Sequence, residues 1–123
     1  LPEDKLPEVI VQPDNAPPMV NSPQLVRRLR VAWSEALGDE RVVDYPTPSM
    51  FAEDFPFFTI YPDIPTVSWA VGGTLQEDFE RAAVGGPPVP SHHSPLFRIA
   101  PEPSVRAGVE STVIALLELL GDG

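Results

Sequence analysis

The sequence predicts an α/β fold in which a layer of short strands is covered by two amphipathic helices. Three short strand-like runs alternate along the chain with segments whose apolar residues recur at helical spacing, which is the order typical of an α/β layer. The 17 prolines all lie within 2–23, 46–65 and 87–103, so they mark stiff loops between these elements. A length of 123 residues with 42% apolar residues suits one modest hydrophobic core.

The composition excludes several classes of partner and site. The formal net charge is -10, and nucleic acid and anionic membrane surfaces both require a basic face, so neither is an expected partner. The chain has no cysteine, which excludes disulfides and thiolate zinc sites. With no signal peptide and no run long enough to span a bilayer, we expect a cytoplasmic protein. The start at Leu1 rather than Met predicts a piece of a longer protein.

The chain opens with a predicted strand and a hinge. Residues 7–12 form a β-branched run that ends at Pro13, which suits a strand at the edge of a sheet. Residues 14–19 contain Pro17 and Pro18, so they suit a linker without regular structure.

A helix predicted over 23–37 has signals at both ends. Ser22 can cap the N-terminus, Pro23 suits the first helical position, and Gly38 suits the residue just past the end. The apolar stripe consists of Leu25, Leu29, Trp33 and Leu37. The three arginines at 27, 28 and 30 are better interpreted as a solvated polar face than as a binding patch.

A second strand is predicted over 41–45, and it is followed by carboxylates inside an aromatic cluster at 50–58. Glu53 and Asp54 lie between Phe51 and Phe55. Apolar surroundings can shift the proton affinity of a carboxylate toward the range that acid–base catalysis needs. On local evidence alone, a carboxylate pair at the positive start of a short helix is the better interpretation.

The second half predicts a strand over 65–71, a short helix over 74–83 and a long amphipathic helix over 103–120. Gly72 and Gly73 follow the strand, and glycines at a strand end let a ligand approach the backbone, although a plain turn has the same pattern. The long helix ends at Gly121 and is expected to cover the sheet. Its stripe consists of Val105, Val109, Val113, Leu116, Leu117 and Leu120.

Both histidines, His92 and His93, lie in a proline-bracketed loop before the long helix. Histidine is the commonest metal ligand, but a site needs several ligands and the chain has no further histidine. Neighbouring residues in an extended loop point to opposite sides, so at most one of the two is expected to face any one site. Locally, a solvated loop histidine is the better interpretation.

Four segments, taken in order, carry a family resemblance. They are Pro-Pro-Met-Val-Asn-Ser-Pro at 17–23, Met-Phe-Ala-Glu-Asp-Phe at 50–55, the apolar run ending at Gly72-Gly73, and Pro-Ser-His-His-Ser-Pro at 90–95. Together they resemble the C-terminal third of the zinc-dependent amidohydrolases and metallopeptidases that include aminoacylases, hippurate hydrolases and auxin-conjugate hydrolases. One departure is Phe51-Ala52, where the family has smaller residues before Glu-Asp-Phe.

The resemblance implies part of the catalytic layer of a two-domain metallohydrolase. Residues 1–20 would be a strand and hinge leading from a lid domain, and 21–123 the C-terminal segment of the catalytic α/β domain. His93 would be one ligand of a pair of zinc or other divalent ions, with His92 as its non-ligating neighbour. Gly72 and Gly73 would line the substrate pocket, and Glu53 or Asp54 would orient the ligand from a supporting position.

The implied reaction is cleavage of amide bonds in N-acyl amino acids or small peptides by a metal-activated water. The implied partners are the remainder of the enzyme and that substrate, and a homo-oligomer is compatible with both. We expect this chain alone to bind no catalytic metal tightly and to turn over no substrate. The alternative is a non-catalytic binding module with the same fold.

Overall fold

The structure is organised around two long helices that pack against each other. The computed structural model of the protein describes residues 2, 5–11, 17–44, 54–60 and 64–121. Its α-helices in these ranges are α1 (Pro23–Leu37), α2 (Phe57–Ile60), α3 (Gln76–Ala83) and α4 (Pro101–Leu120), and a 3-10 turn at Asp39–Arg41 follows α1.

Helix α1 confirms the boundaries predicted from its capping residues. The Ser22 hydroxyl accepts a hydrogen bond from the Leu25 amide at 3.5 Å, and Pro23 is the first helical residue. At the other end, Gly38 has φ 94°, in the region that favours glycine, and its amide donates to the Ser34 carbonyl.

The core lies where α1 meets α4. Leu29 is fully buried, and Trp33 and Ala115 are nearly so. The Trp33 indole Nε1 donates to the Ser111 carbonyl at 2.8 Å. Closer to the start of α1, Arg28 forms an ion pair with Glu118 near the end of α4. Because the residue nearer the start of α1 contacts the residue nearer the end of α4, the two helices run antiparallel.

The buried face of α4 is not the face that the apolar stripe predicted. Ser111 and Ala115 are buried against α1, whereas Val105, Val109 and Leu120 remain exposed. Small side chains at 111 and 115 let the Trp33 ring approach the α4 backbone. The large side chains of the predicted stripe therefore remain exposed, whereas Ile114, outside the stripe, packs against the core. In the described residues α4 does not cover a sheet.

The predicted α/β fold, with its short strands, is wrong: the described residues form helices and irregular segments, and no strand or sheet. In 7–12, of which residue 12 lies outside the described residues, Val9 and Val11 are 84% and 85% exposed. In 41–45, of which residue 45 lies outside, the start belongs to the 3-10 turn. Strand propensity is realised only where a neighbouring backbone supplies the ladder, and these runs have none.

The third predicted strand, 65–71, is held by a side chain instead of a neighbouring strand. The Asn21 side chain accepts from the Ser68 amide and donates to the Ser68 carbonyl, both at 2.8 Å. The Ser22 amide donates to the Thr66 carbonyl at 2.8 Å. These bonds satisfy the groups that a ladder would satisfy, and they fix the segment at the start of α1.

The same segment then crosses the junction of the two long helices. The Trp69 ring lies 5.1 Å from the Trp33 ring, centroid to centroid, and its Nε1 donates to the Ser111 hydroxyl at 3.1 Å. The segment therefore ends beside the start of α4, where it places Gly72 and Gly73.

Helix α3 begins at Gln76, two residues after the predicted start, and ends at Ala83 as expected. Gly85, with φ 86°, and Gly86 end it, and the Gly86 amide donates to the Arg81 carbonyl at 2.9 Å. The segment that carries both histidines begins directly after this end of α3.

Candidate functional site

The histidine loop, defined here as residues 84–97, has its own turns. The Ser94 amide donates to the Ser91 carbonyl at 2.9 Å, and the Phe97 amide donates to the Ser94 carbonyl at 3.0 Å. The Ser94 hydroxyl also accepts from the Leu96 amide at 3.1 Å. His92 and His93 are the two central residues of the first tight turn, and a second turn follows it directly, so the backbone around the histidines is defined.

The structure distinguishes the two histidines. The His92 ring meets the Phe97 ring edge-on, with 5.3 Å between centroids, so His92 is part of the packing of the loop itself. His93 is exposed, and no hydrogen bond or ion pair joins its imidazole to the part of the chain that the structure describes. Both residues are exposed, so the difference between them is the contact of the His92 ring with Phe97.

Gly72 and Gly73 are held by the segment that follows the histidine loop. The Gly73 carbonyl accepts from the Ala100 amide at 2.8 Å, and the Gly72 carbonyl accepts from the Ser104 hydroxyl at 3.1 Å. A Cβ added at Gly73 would lie 3.1 Å from Cγ2 of Ile99, which is closer than ordinary contact. The structure thus gives Gly73 a packing reason to be glycine, and it brings the glycine pair to the residues just after the histidine loop.

No described contact joins Asp54 to the histidine loop or to the glycine pair. Glu53 lies outside the described residues. Asp54 is exposed, and its backbone carbonyl accepts from the Phe57 amide at 3.1 Å, in the turn that begins α2. Its side chain forms no hydrogen bond or ion pair with any described residue, so what the structure shows for Asp54 is the helix-start role.

An ion-pair cluster beside the loop was not recognised from the sequence. Asp78 on α3 is only 7% exposed, and Arg98 reaches it with Nη2 at 2.8 Å from Oδ1 and Nε at 3.3 Å from Oδ2. Arg81 adds Nη1 at 3.2 Å from Oδ1, and Glu77 accepts from Arg98 at 3.1 Å. The sequence showed Asp78 only as an acidic residue early in a helix, and nothing in the spacing links it to an arginine 20 residues later.

This arrangement shifts the proton affinity of both partners. The hydrogen bonds from Arg98, supported by the positive charges of Arg98 and Arg81, lower the pKa of the Asp78 carboxyl against the opposing effect of its burial. The same hydrogen bonds raise the pKa of the Arg98 guanidinium. Asp78 is therefore ionised at neutral pH, and the carboxylate accepts from two arginines.

The described residues do not by themselves make a metal site. Among them, no three histidine, aspartate or glutamate side chains converge closely enough to hold an ion. His93 can offer one imidazole nitrogen, which is one ligand of the three or four that a zinc ion takes from a protein. Of the described residues, His93 could therefore serve a metal only as one member of a larger ligand set.

Comparison with known families identifies the class of protein. A family model described as peptidase family M20/M25/M40 matches residues 7–100, which include the hinge, both glycines and the whole histidine loop. Comparisons with curated proteins and with solved structures give no match. The chain belongs to the M20/M25/M40 family of peptidases.

Membership confirms the broad resemblance that the four motifs indicated, namely to a family of metallopeptidases and amidohydrolases. Members of this family are generally metal-dependent. It does not distinguish the aminoacylase and hippurate hydrolase branch within that family. In the part of the chain that the structure describes, no helix is both long and apolar enough to cross a membrane. Helix α4 lies beyond the matched residues.

Proposed function

We propose that this chain is the C-terminal portion of a metal-dependent amidohydrolase that cleaves amide bonds of N-acyl amino acids or small peptides. The observation that carries the proposal is the family match over 7–100, because it spans the loop with the histidine pair. The rest of the enzyme, an N-terminal catalytic segment and a lid domain, would supply the remaining ligands of a zinc or other divalent metal pair. Residues 1–20 would lead from the lid, and 21–123 would belong to the catalytic domain.

In this proposal His93 is the residue that this chain gives to the metal site. Its exposure and its lack of a partner among the described residues support that role, whereas the contact between His92 and Phe97 gives His92 a different one. Metal ions in such a site activate a water for attack on an amide carbonyl. Gly72 and Gly73 would line the substrate pocket with backbone, and Glu53 or Asp54 would orient a ligand once the remaining segments are in place.

The experiment starts from the protein as the cell makes it. Intact-mass measurement of the natural product gives the length of the polypeptide, and the same material is assayed against a panel of N-acyl amino acids and dipeptides, with and without a chelator. We expect a longer chain, hydrolysis of at least one substrate, and loss of hydrolysis on chelation. The isolated 123-residue protein should be inactive in the same assay.

The alternative, a binding module that keeps the fold without the chemistry, predicts a different outcome. A natural product of 123 residues that binds an N-acyl amino acid without cleaving it would favour the module. Chelator-resistant hydrolysis by the natural product would contradict both readings of the site.

A further inference from the structure

Arg98 ties the exit of the histidine loop back to α3. The backbone amides of Gly86, Ser94, Leu96 and Phe97 donate within the loop or to the end of α3. The next residue, Arg98, returns to Asp78 across 20 positions of sequence. This contact, which we call the clasp, ties the exit of the loop to the helix from which the loop departs.

The clasp joins residues that are well suited to hold a fixed geometry. Two nitrogens of the planar Arg98 guanidinium face the two oxygens of the Asp78 carboxylate, a pairing that defines orientation as well as distance. Asp78 is nearly buried, so the pair is less screened than the exposed ion pairs elsewhere on the surface, such as Arg106 with Glu102.

The prolines of the loop make its backbone stiff, so a contact that fixes the loop exit also restricts where the histidines can lie. Prolines at 87, 88, 90 and 95 restrict the backbone on both sides of the histidine pair. A stiff segment with both ends fixed has few conformations, whereas the same segment with one end free swings as a unit. The Ala100 amide still anchors the chain to Gly73 two residues after Arg98, so loss of the Arg98 contact would free the loop exit from α3 without releasing it altogether. The position of His93 relative to α3 therefore depends on whether Arg98 holds the exit there.

We propose that Asp78 is a positioning residue, which acts through Arg98 to hold the histidine loop on α3 and so to set the place of the His93 imidazole. The role of the loop as a ligand carrier rests on the proposed function; the clasp itself rests on the contacts above. Nothing in the sequence motifs assigns a role to either residue.

Amide hydrogen exchange by NMR on the 123-residue chain tests the clasp without any metal. The reporters are the amides of Ser94 and Phe97, which form the two turns of the loop, and the amides of α1 report on the whole fold. We expect Arg98→Gln to speed exchange at both reporters by about tenfold while α1 is unchanged. The ring signals of His93 should shift or broaden in the same variant.

Two further variants sharpen the result. Arg81→Gln is the matched control, since Arg81 contacts the same carboxylate from within α3 and does not join the loop to it; exchange at Ser94 and Phe97 should stay within about threefold of wild type. Asp78→Asn should speed exchange at the same reporters, but by less than Arg98→Gln, because Glu77 still accepts from Arg98. The double variant should match Arg98→Gln alone, because without the arginine neither carboxylate can hold the loop.

Unchanged exchange at the reporters in Arg98→Gln, or an equal loss of protection in α1, overturns the proposal. So does an additive double variant. The failure of the proposed function looks different: if the loop loosens as expected but His93→Ala leaves the metal content of the natural product unchanged, the clasp stands and the metal role does not.

Discussion

Truncation of Leu29 should destabilise the chain strongly, because this side chain is the most completely buried one of α1. Leu29 is fully buried between α1 and α4, in a core that includes Trp33 and Ala115. Leucine-to-alanine changes at buried sites cost about 2–5 kcal/mol, from lost burial and the cavity that remains. We expect about 2–3 kcal/mol for Leu29→Ala, because the neighbouring Val67 and Ile114 are only partly buried and can close on the space.

Urea unfolding followed by tryptophan fluorescence measures this directly. The two tryptophans, at 33 and 69, both lie at the junction of the helices, so their emission reports on that core. The control is Leu117→Ala, the same chemical change at a side chain that is 68% exposed on α4, which should shift the free energy of unfolding by at most about 0.5 kcal/mol. Equal unfolding midpoints for the two variants would refute the placement of the core, and a larger loss at Leu117 would mean that the outer face of α4 is the buried one.

Three further outcomes follow from the structure. Gly38→Ala should destabilise the chain by about 1 kcal/mol, because φ is +94° and a Cβ there would meet the Glu40 carboxylate, and thermal unfolding measures the loss. The arginines around Asp78 lower its pKa, so the clasp contributes its full stability above the unfolded-state pKa of about 4 and loses it as pH falls through the lower folded-state pKa. Loss of protection of the histidine-loop amides should therefore begin below about pH 4 in the wild type. Asp78→Asn keeps Glu77 and both arginines but lacks the titrating carboxyl, so its amide exchange should show no such step. The 123-residue chain should self-associate through the exposed stripe of α4, and sedimentation should show that Val109→Lys with Val113→Lys restores the monomer; a strictly monomeric wild type at all concentrations would contradict this.

The helices could be predicted from the sequence because their signals are local. Ser22, Pro23 and Gly38 act within a few residues of the ends that they define, and the stripe through Leu29 and Trp33 identifies the buried face of α1. The start of α3 was misplaced by two residues, since Leu75 at its N-cap provides no side-chain hydrogen bond that a sequence could reveal.

The absence of strands from the described residues could not be predicted, because strand formation depends on a pairing partner elsewhere in the sequence. The run at 65–71 alternates as a strand does, yet its backbone groups are met by Asn21, a residue more than 40 positions earlier. The same limit explains the error on α4, whose large residues suggested the packed face. The packed face is set by the space that Trp33 needs, so it carries Ser111 and Ala115.

The candidate site likewise has one part that a local motif predicts and one part that only the fold reveals. His93 was selected by a motif, and the structure adds a physical difference between the two rings, because His92 packs on Phe97. The pairing of Asp78 with Arg98 has no motif and no helical spacing, so only the fold reveals it. The roles inferred for Gly72, Gly73, Glu53 and Asp54 remain predictions, and Glu53 lies outside the described residues.

The central claim is that this chain supplies one metal ligand, His93, to a hydrolase completed by other segments. The most direct test is the zinc content of the natural product purified as wild type, His93→Ala and His92→Ala, measured by elemental analysis after dialysis against a competing chelator. We predict that His93→Ala weakens metal affinity by at least about 100-fold, since even partners outside the ligand set change it 10–100-fold, while His92→Ala retains the wild-type metal content. Equal metal content in the His93→Ala and wild-type proteins would contradict the claim.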